Sequence, residues 1–158
     1  MQLSFELPEL DRKKTQEAVE DALEKYRIFK FIAYEEREAT ITASYEPREG
    51  GASGKISDQT AQIAIHNVDA QGARRAYCER IERAVKRLHP KERLLIEARY
   101  MTEDYDGEYV RDYKVYSFVF NPPISEGHYV KIRWKAFYKL ALFLNIAVEK
   151  VRDEVTKE

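Results

Sequence analysis

The sequence predicts an all-α fold, on three observations. Apolar residues recur at helical steps of three and four in four separate runs, and residues suited to helix starts stand at Asp69, Pro90 and Ser125. Only two short stretches, "ATITASYEP" and "EYVRDYKVYSFVF", have the β-branched and aromatic composition of strands. Helix is therefore the default elsewhere.

The first run lies between Asp11 and about Ile32, where Val19, Leu23 and Tyr26 recur while Lys13, Glu17, Glu20 and Glu24 take other faces. Such a stripe suits a docking helix, and pairing of two copies through it predicts a homodimer. "ATITASYEP" reads as extended. From Glu46 to Asp58, "EPREGGASGKISD" concentrates glycine, serine and proline and reads as a flexible linker.

Asp69 is the predicted cap of the second helix, whose Ala73, Tyr77, Ile81, Ala84, Val85 and Leu88 form one apolar stripe. Arg74, Arg75, Arg80, Arg83 and Arg87 stand outside it. They suit either a phosphate-contacting face or pairing with Glu79 and Glu82 at helical spacing. His89 takes the cap position before Pro90, which fits a first helical turn because its missing N–H has no partner there. The helix "PKERLLIEARYM" then runs to Met101, and Gly107 with its acidic neighbours breaks the pattern. For Val110 to Phe120 composition favours a strand, and periodicity does not decide. After Pro122 and Pro123 the signal returns: Ser125 is the predicted N-cap, and Tyr129, Ile132, Ala136, Leu140 and Phe143 follow helical steps.

Length and composition bound the function. With 158 residues, 44% apolar and 35% charged, the chain fits one ordinary domain or a small domain plus an arm. No run approaches the roughly 20 apolar residues of a membrane span, and the start lacks a secretory pattern, so a cytoplasmic protein without membrane association is predicted. Cys78 is the single cysteine, which excludes an intrachain disulfide and suits a half-buried packing residue. His66, His89 and His128 are scattered, and neither a glycine-rich phosphate loop nor a zinc-protease motif occurs. No enzyme activity and no cofactor are expected. The acidic group Glu103, Asp104, Asp106, Glu108 and Asp112 resembles the opening of a calcium loop, but Tyr113 stands where a bidentate glutamate is needed. It reads as a solvated connector, not a metal site.

The net charge of -1 conceals an asymmetry: residues 1–65 carry nine Lys/Arg against thirteen Asp/Glu, whereas residues 66–158 carry eighteen against fifteen. A polyanion would feel the second part. In the closing helix, inward-pointing Tyr129, Ile132, Ala136 and Leu140 leave Glu126, His128, Lys131, Arg133, Trp134, Lys135, Tyr138 and Lys139 at the rim or outside. That mixture is what a groove-reading helix needs, with base-edge contacts from its first turns and cations holding phosphates farther along. The bland alternative is a basic solvated face on a core helix, with Trp134 as an edge packer.

"RIERAVKRLHPKERLLIEARYM", then "DYKVY", then "SEGHYVKIRWKAFYKLA" resembles the ArpU family of phage-encoded transcriptional regulators, whose C-terminal part looks like the helix-turn-helix of sigma factor region 4. "MQLSFELPELDRKKTQEAVEDALEKYR" and "ITASY" resemble its N-terminal half. The resemblance implies an N-terminal helical segment and linker over residues 1–65, and over 66–158 a helix-turn-helix domain. It makes Arg111 to about Phe120 the motif's first helix, despite the strand-like composition. It implies that Ser125, Glu126, Gly127, His128, Val130 and Lys131 open the recognition helix. Taken with the basic face, the DNA-binding set is Ser125, Glu126, His128, Lys131, Arg133, Lys135 and Lys139. The implied partner is double-stranded DNA, and the implied role is regulation of phage late genes. Two departures stand out: the turn "FNPPI" is longer than the family's glycine-containing turn, and Gly127 and His128 replace larger basic residues. The rival readings are a protein-interaction module gripping RNA polymerase and a phage packaging protein with a similar DNA-binding helix.

Overall fold

A computed structural model describes residues 7–43, 58–103 and 108–151, with side chains for 7–34, 66–103 and 108–151. It is all-helical, with no strand among the described residues. The elements are α1 (Arg12–Ala43), α2 (Asp58–Lys86), α3 (Pro90–Tyr100), α4 (Asp112–Lys114), a π-helical turn (Val115–Val119) and α5 (Glu126–Leu144). Two compact units divide the chain: Met1–Leu23 with Ala84–Glu158, and Glu24–Arg83. A cut after residue 65 falls inside α2.

Two expectations are corrected. Ala39 to Ala43, expected as extended, are the last residues of α1. Once a helix exists each added residue gains a hydrogen bond, and threonine or isoleucine costs only a few tenths of a kcal/mol there, so about 0.7 kcal/mol per residue is the ceiling of the penalty. The second helix begins at Asp58, well before Asp69. "DQTAQIAIHNV" contains no Gly or Pro to delay it. The rest of the expected linker, and Asp104 to Gly107 of the acidic connector, lie outside the described residues.

In the middle unit, Tyr26, Cys78 and Ile81 are buried, and Phe29 meets Tyr77 edge-on at 5.3 Å between ring centroids. The Tyr26 hydroxyl donates to Glu82 at 2.9 Å, and Lys30 pairs with the same carboxylate at 2.6 Å. Cys78 packs against the Tyr26 carbonyl, and burial pushes its thiol pKa up, as befits an inert small residue.

The terminal unit is built around α5, whose Tyr129, Ile132, Ala136, Phe137, Leu140 and Ala141 are buried. Leu95, Ile96 and Tyr100 come from α3, Val19 and Leu23 from α1, and Val115 and Phe120 from the π turn. Val19 and Leu23 are thus covered by this chain, as Tyr26 is in the other unit. The stripe offered for pairing two copies is used internally. Winding with i→i+5 bonds, here Phe120 N–H to the Val115 carbonyl at 3.1 Å, stacks residues five apart on one face. Val115 and Phe120 therefore both point inward.

One carboxylate ties three elements of this unit together. Asp112, at the start of α4, accepts from Arg99 Nε of α3 at 2.8 Å and from the Tyr129 hydroxyl of α5 at 2.7 Å, both on Oδ1. Its Oδ2 accepts from Arg133 of α5 at 3.1 Å. Asp112 is therefore not a solvated member of an acidic connector. Around the turn, Ile124 N–H donates to the Tyr116 carbonyl at 3.1 Å, and Ser125 caps α5 by accepting from His128 N–H at 3.2 Å. At the other end Asn145, in the left-handed region with φ 57°, lets Ile146 N–H close on the Ala141 carbonyl at 3.0 Å.

Two outcomes are expected. Asp112→Asn should lower unfolding free energy by about 1–3 kcal/mol in urea melts, because two guanidinium groups then lose their shared counter-charge at a partly exposed site. Burial raises the Tyr129 pKa, with donation to Asp112 adding to it, and burial beside Glu20 pushes Tyr100 up to about 12. Folded-state values above the unfolded one mean stability fully present below about pH 10 and lost as pH rises through the folded values. The loss between about pH 9 and about pH 11 should be smaller in Tyr129→Phe than in the parent chain.

Candidate nucleic-acid interface

The α5 helix sorts its cations by what each one touches. Arg133 is half-buried, held by Asp112 and seated over the Tyr129 ring at 5.8 Å. Lys139 donates to both oxygens of Glu92, at 3.0 and 2.9 Å. Glu92 is a buried carboxylate in the first turn of α3 that also accepts from His89 N–H at 3.2 Å. The partner His89 side chain accepts from Lys91 N–H, so the cap read from the sequence is present as a capping box. A buried carboxylate is tolerable only with such donors, and Lys139 supplies the opposing charge. Arg133 and Lys139 therefore serve the interior of the unit.

Lys131 and Lys135 differ. Both are exposed, and neither has an ion pair or hydrogen bond with any described residue. With His128 they follow steps of three and four, so all three lie on the face opposite the buried Tyr129, Ala136 and Leu140. Ser125, Glu126 and Gly127 complete the exposed first turn. A side chain added at Gly127 would meet no atom within 4 Å, so the approach to this turn is open.

Trp134 and Tyr138, on the same helix, are half-buried beside a strap in which residues 8–12 meet residues 148–150. The Tyr138 hydroxyl donates to the Pro8 carbonyl at 3.0 Å, and Arg12 lies over the Trp134 ring at 5.0 Å. Asp11 N–H donates to the Val148 carbonyl at 2.7 Å, and Lys150 N–H donates to the Glu9 carbonyl at 3.0 Å. Thr15 and Val148 add two bonds of 3.2 Å. Trp134 is thus the edge packer that the bland reading described, and its partner, remote in sequence, was not legible there.

On α2, Glu82 accepts from the Tyr26 hydroxyl and pairs with Lys30. Arg87 lies over the Phe143 ring at 5.6 Å, and Arg75, Arg80 and Arg83 are exposed. Glu103 and Glu108 of the acidic connector are exposed, and Glu103 bridges to Tyr109. Among the described residues no group of histidine, cysteine and carboxylate side chains could hold a metal ion. No described helix is long and apolar enough to cross a membrane.

This sorting has a measurable consequence. Lys139→Ala, which strands the Glu92 carboxylate, should lower unfolding free energy by about 1–3 kcal/mol, since Lys139 itself is half exposed. Lys131→Ala and Lys135→Ala should stay within about 0.5 kcal/mol of the parent in the same thermal or urea melts.

Over 150 residues, 95% of this chain and 100% of the relative, the sequence is 29% identical to an uncharacterized phage-related protein of Listeria innocua serovar 6a. No protein-family model matches the chain. No solved structure matches it.

Proposed function

We propose that the chain is a DNA-binding transcriptional regulator of phage genes, of the ArpU kind, with α4, the π turn and α5 acting as a helix-turn-helix like that of sigma factor region 4. The observation that carries this reading is the exposed, unpaired state of Lys131 and Lys135, on one face with His128 behind the Ser125 cap. The phage-related relative, matched along its whole length, supports the setting. No catalytic step is involved.

Lys131 and Lys135 displace counterions from the phosphate backbone, which supplies affinity and makes it salt-dependent. Glu126, His128 and Lys131 reach base edges: a lysine donates to guanine O6 and N7, and a carboxylate accepts from cytosine N4. The Ser125 hydroxyl and the free N–H groups of the first α5 turn suit a phosphate oxygen. Arg133 and Lys139 hold the helix at its angle through Asp112 and Glu92.

A second reading has one observation in its favour. Phe118 is 78% exposed beside the partly exposed Val119 and Tyr113, an apolar patch on the first helix that suits a protein such as RNA polymerase. The two are separated by salt. Duplex binding by the parent chain should fall steeply between low and physiological salt, and Lys131→Ala or Lys135→Ala should each make the slope of log affinity against log salt shallower by about one. Gly127→Arg, placed in open space, should tighten binding about 3- to 10-fold at low salt by one more phosphate contact. Duplex binding that is absent at low salt, with polymerase retained on the immobilised chain through Phe118, would favour the second reading.

A further inference from the structure

We infer that Arg12, at the start of α1, is a nucleic-acid backbone contact, pre-positioned by stacking on Trp134 so that the N-terminal strap extends the phosphate-binding surface of α5. This rests on the DNA-binding reading and deepens it. Arg12 is exposed, and the described residues give it no carboxylate partner; its guanidinium carbon lies 5.0 Å from the Trp134 ring centroid. Trp134 stands three residues after Lys131, a neighbouring position on the helix surface. The stack therefore sets a third cation against a residue that neighbours Lys131 on α5.

The chemistry favours a phosphate oxygen as the occupant. A guanidinium that spends its π face on an indole keeps its N–H edges open, and those edges match phosphate or carboxylate oxygens. An exposed, unpaired arginine ordinarily loses much rotamer freedom when it binds an anion. Here the indole restrains the guanidinium and the strap holds the backbone beneath it: Asp11 N–H is bonded to Val148, Pro8 to Tyr138, and Lys150 to Glu9 on the strap's far side. The nearby carboxylates are engaged elsewhere, Glu9 with Lys150 and Asp11 as the α1 cap accepting from Lys14 N–H at 3.1 Å. A solvated cation stacked in place, with no carboxylate partner among the described residues, suits a polyanion arriving along α5, where it acts together with Lys131 and Lys135.

The test uses the full chain and a mixed-sequence duplex of about 30 base pairs, so that charge contacts are read without knowing the operator. Arg12→Ala and Arg12→Gln should each weaken binding about 3- to 10-fold at low salt and make the log–log salt slope shallower by about one. Arg12→Lys should restore the slope. Trp134→Leu leaves the charge but frees it, and should keep the parent slope while weakening binding about 2- to 3-fold. Arg12→Gln retains a planar group against the indole, so a folded variant is available if Arg12→Ala melts early. Parent affinity and slope in Arg12→Gln, with Lys131→Ala and Lys135→Ala still impaired, would overturn this inference and leave the functional reading standing. No duplex binding by the parent chain at low salt would overturn both.

Discussion

The carboxylate of Asp112 receives donors from Arg99 on α3 and from Tyr129 and Arg133 on α5, all within 3.1 Å. Two guanidinium groups so close together repel unless an anion sits between them, and a half-buried setting makes that repulsion larger than in water. Asp112 begins the short helix that precedes the turn into α5. The same contact therefore neutralises the arginines, satisfies a buried tyrosine hydroxyl and sets the first helix against the second. The orientation of every outward side chain on α5 depends on that angle.

Given that constraint, cations that look equivalent in sequence acquire different jobs. Arg133, half-buried, neutralises Asp112, and Lys139, one turn beyond Lys135, neutralises the buried Glu92. Lys131 and Lys135 are exposed and have no carboxylate to neutralise among the described residues. A helix that only needed solubility could place all of its charges in water. Here two are used to hold α5 on the body of the unit, and that attachment leaves the remaining two fixed in direction. Trp134 and Tyr138 extend the same division, since Arg12 lies over the Trp134 ring and the Tyr138 hydroxyl is bonded to the Pro8 carbonyl.

Much of this was legible where the governing interactions are local. The buried stripe of Tyr129, Ile132, Ala136 and Leu140, the Ser125 cap and the His89 cap before Pro90 all depend on residues within a turn or two of one another, and the structure has each of them. The stretch from Val110 to Phe120 was opaque for a definite reason. Its π turn stacks Val115 above Phe120, a spacing of five that matches neither a helical nor a strand template, and only the family resemblance pointed to a helix. Ala39 to Ala43 misled because β-branched propensity is weaker than the gain from prolonging a helix already formed. The partners of Asp112, Glu92 and Arg12 could not be read at all. Thr15 and Val148, 133 residues apart, show how far the chain must travel before such contacts exist.

Backbone amide NMR of the labelled full chain, titrated with duplex DNA at low salt, addresses the central claim most directly. If the outward face of α5 enters the groove, the largest shift changes will cluster on the amides from Ser125 to Lys135, with those lining the buried side of the helix little affected. Changes confined to the segment around Phe118, or to the unit spanning Glu24–Arg83, with α5 silent, would contradict it.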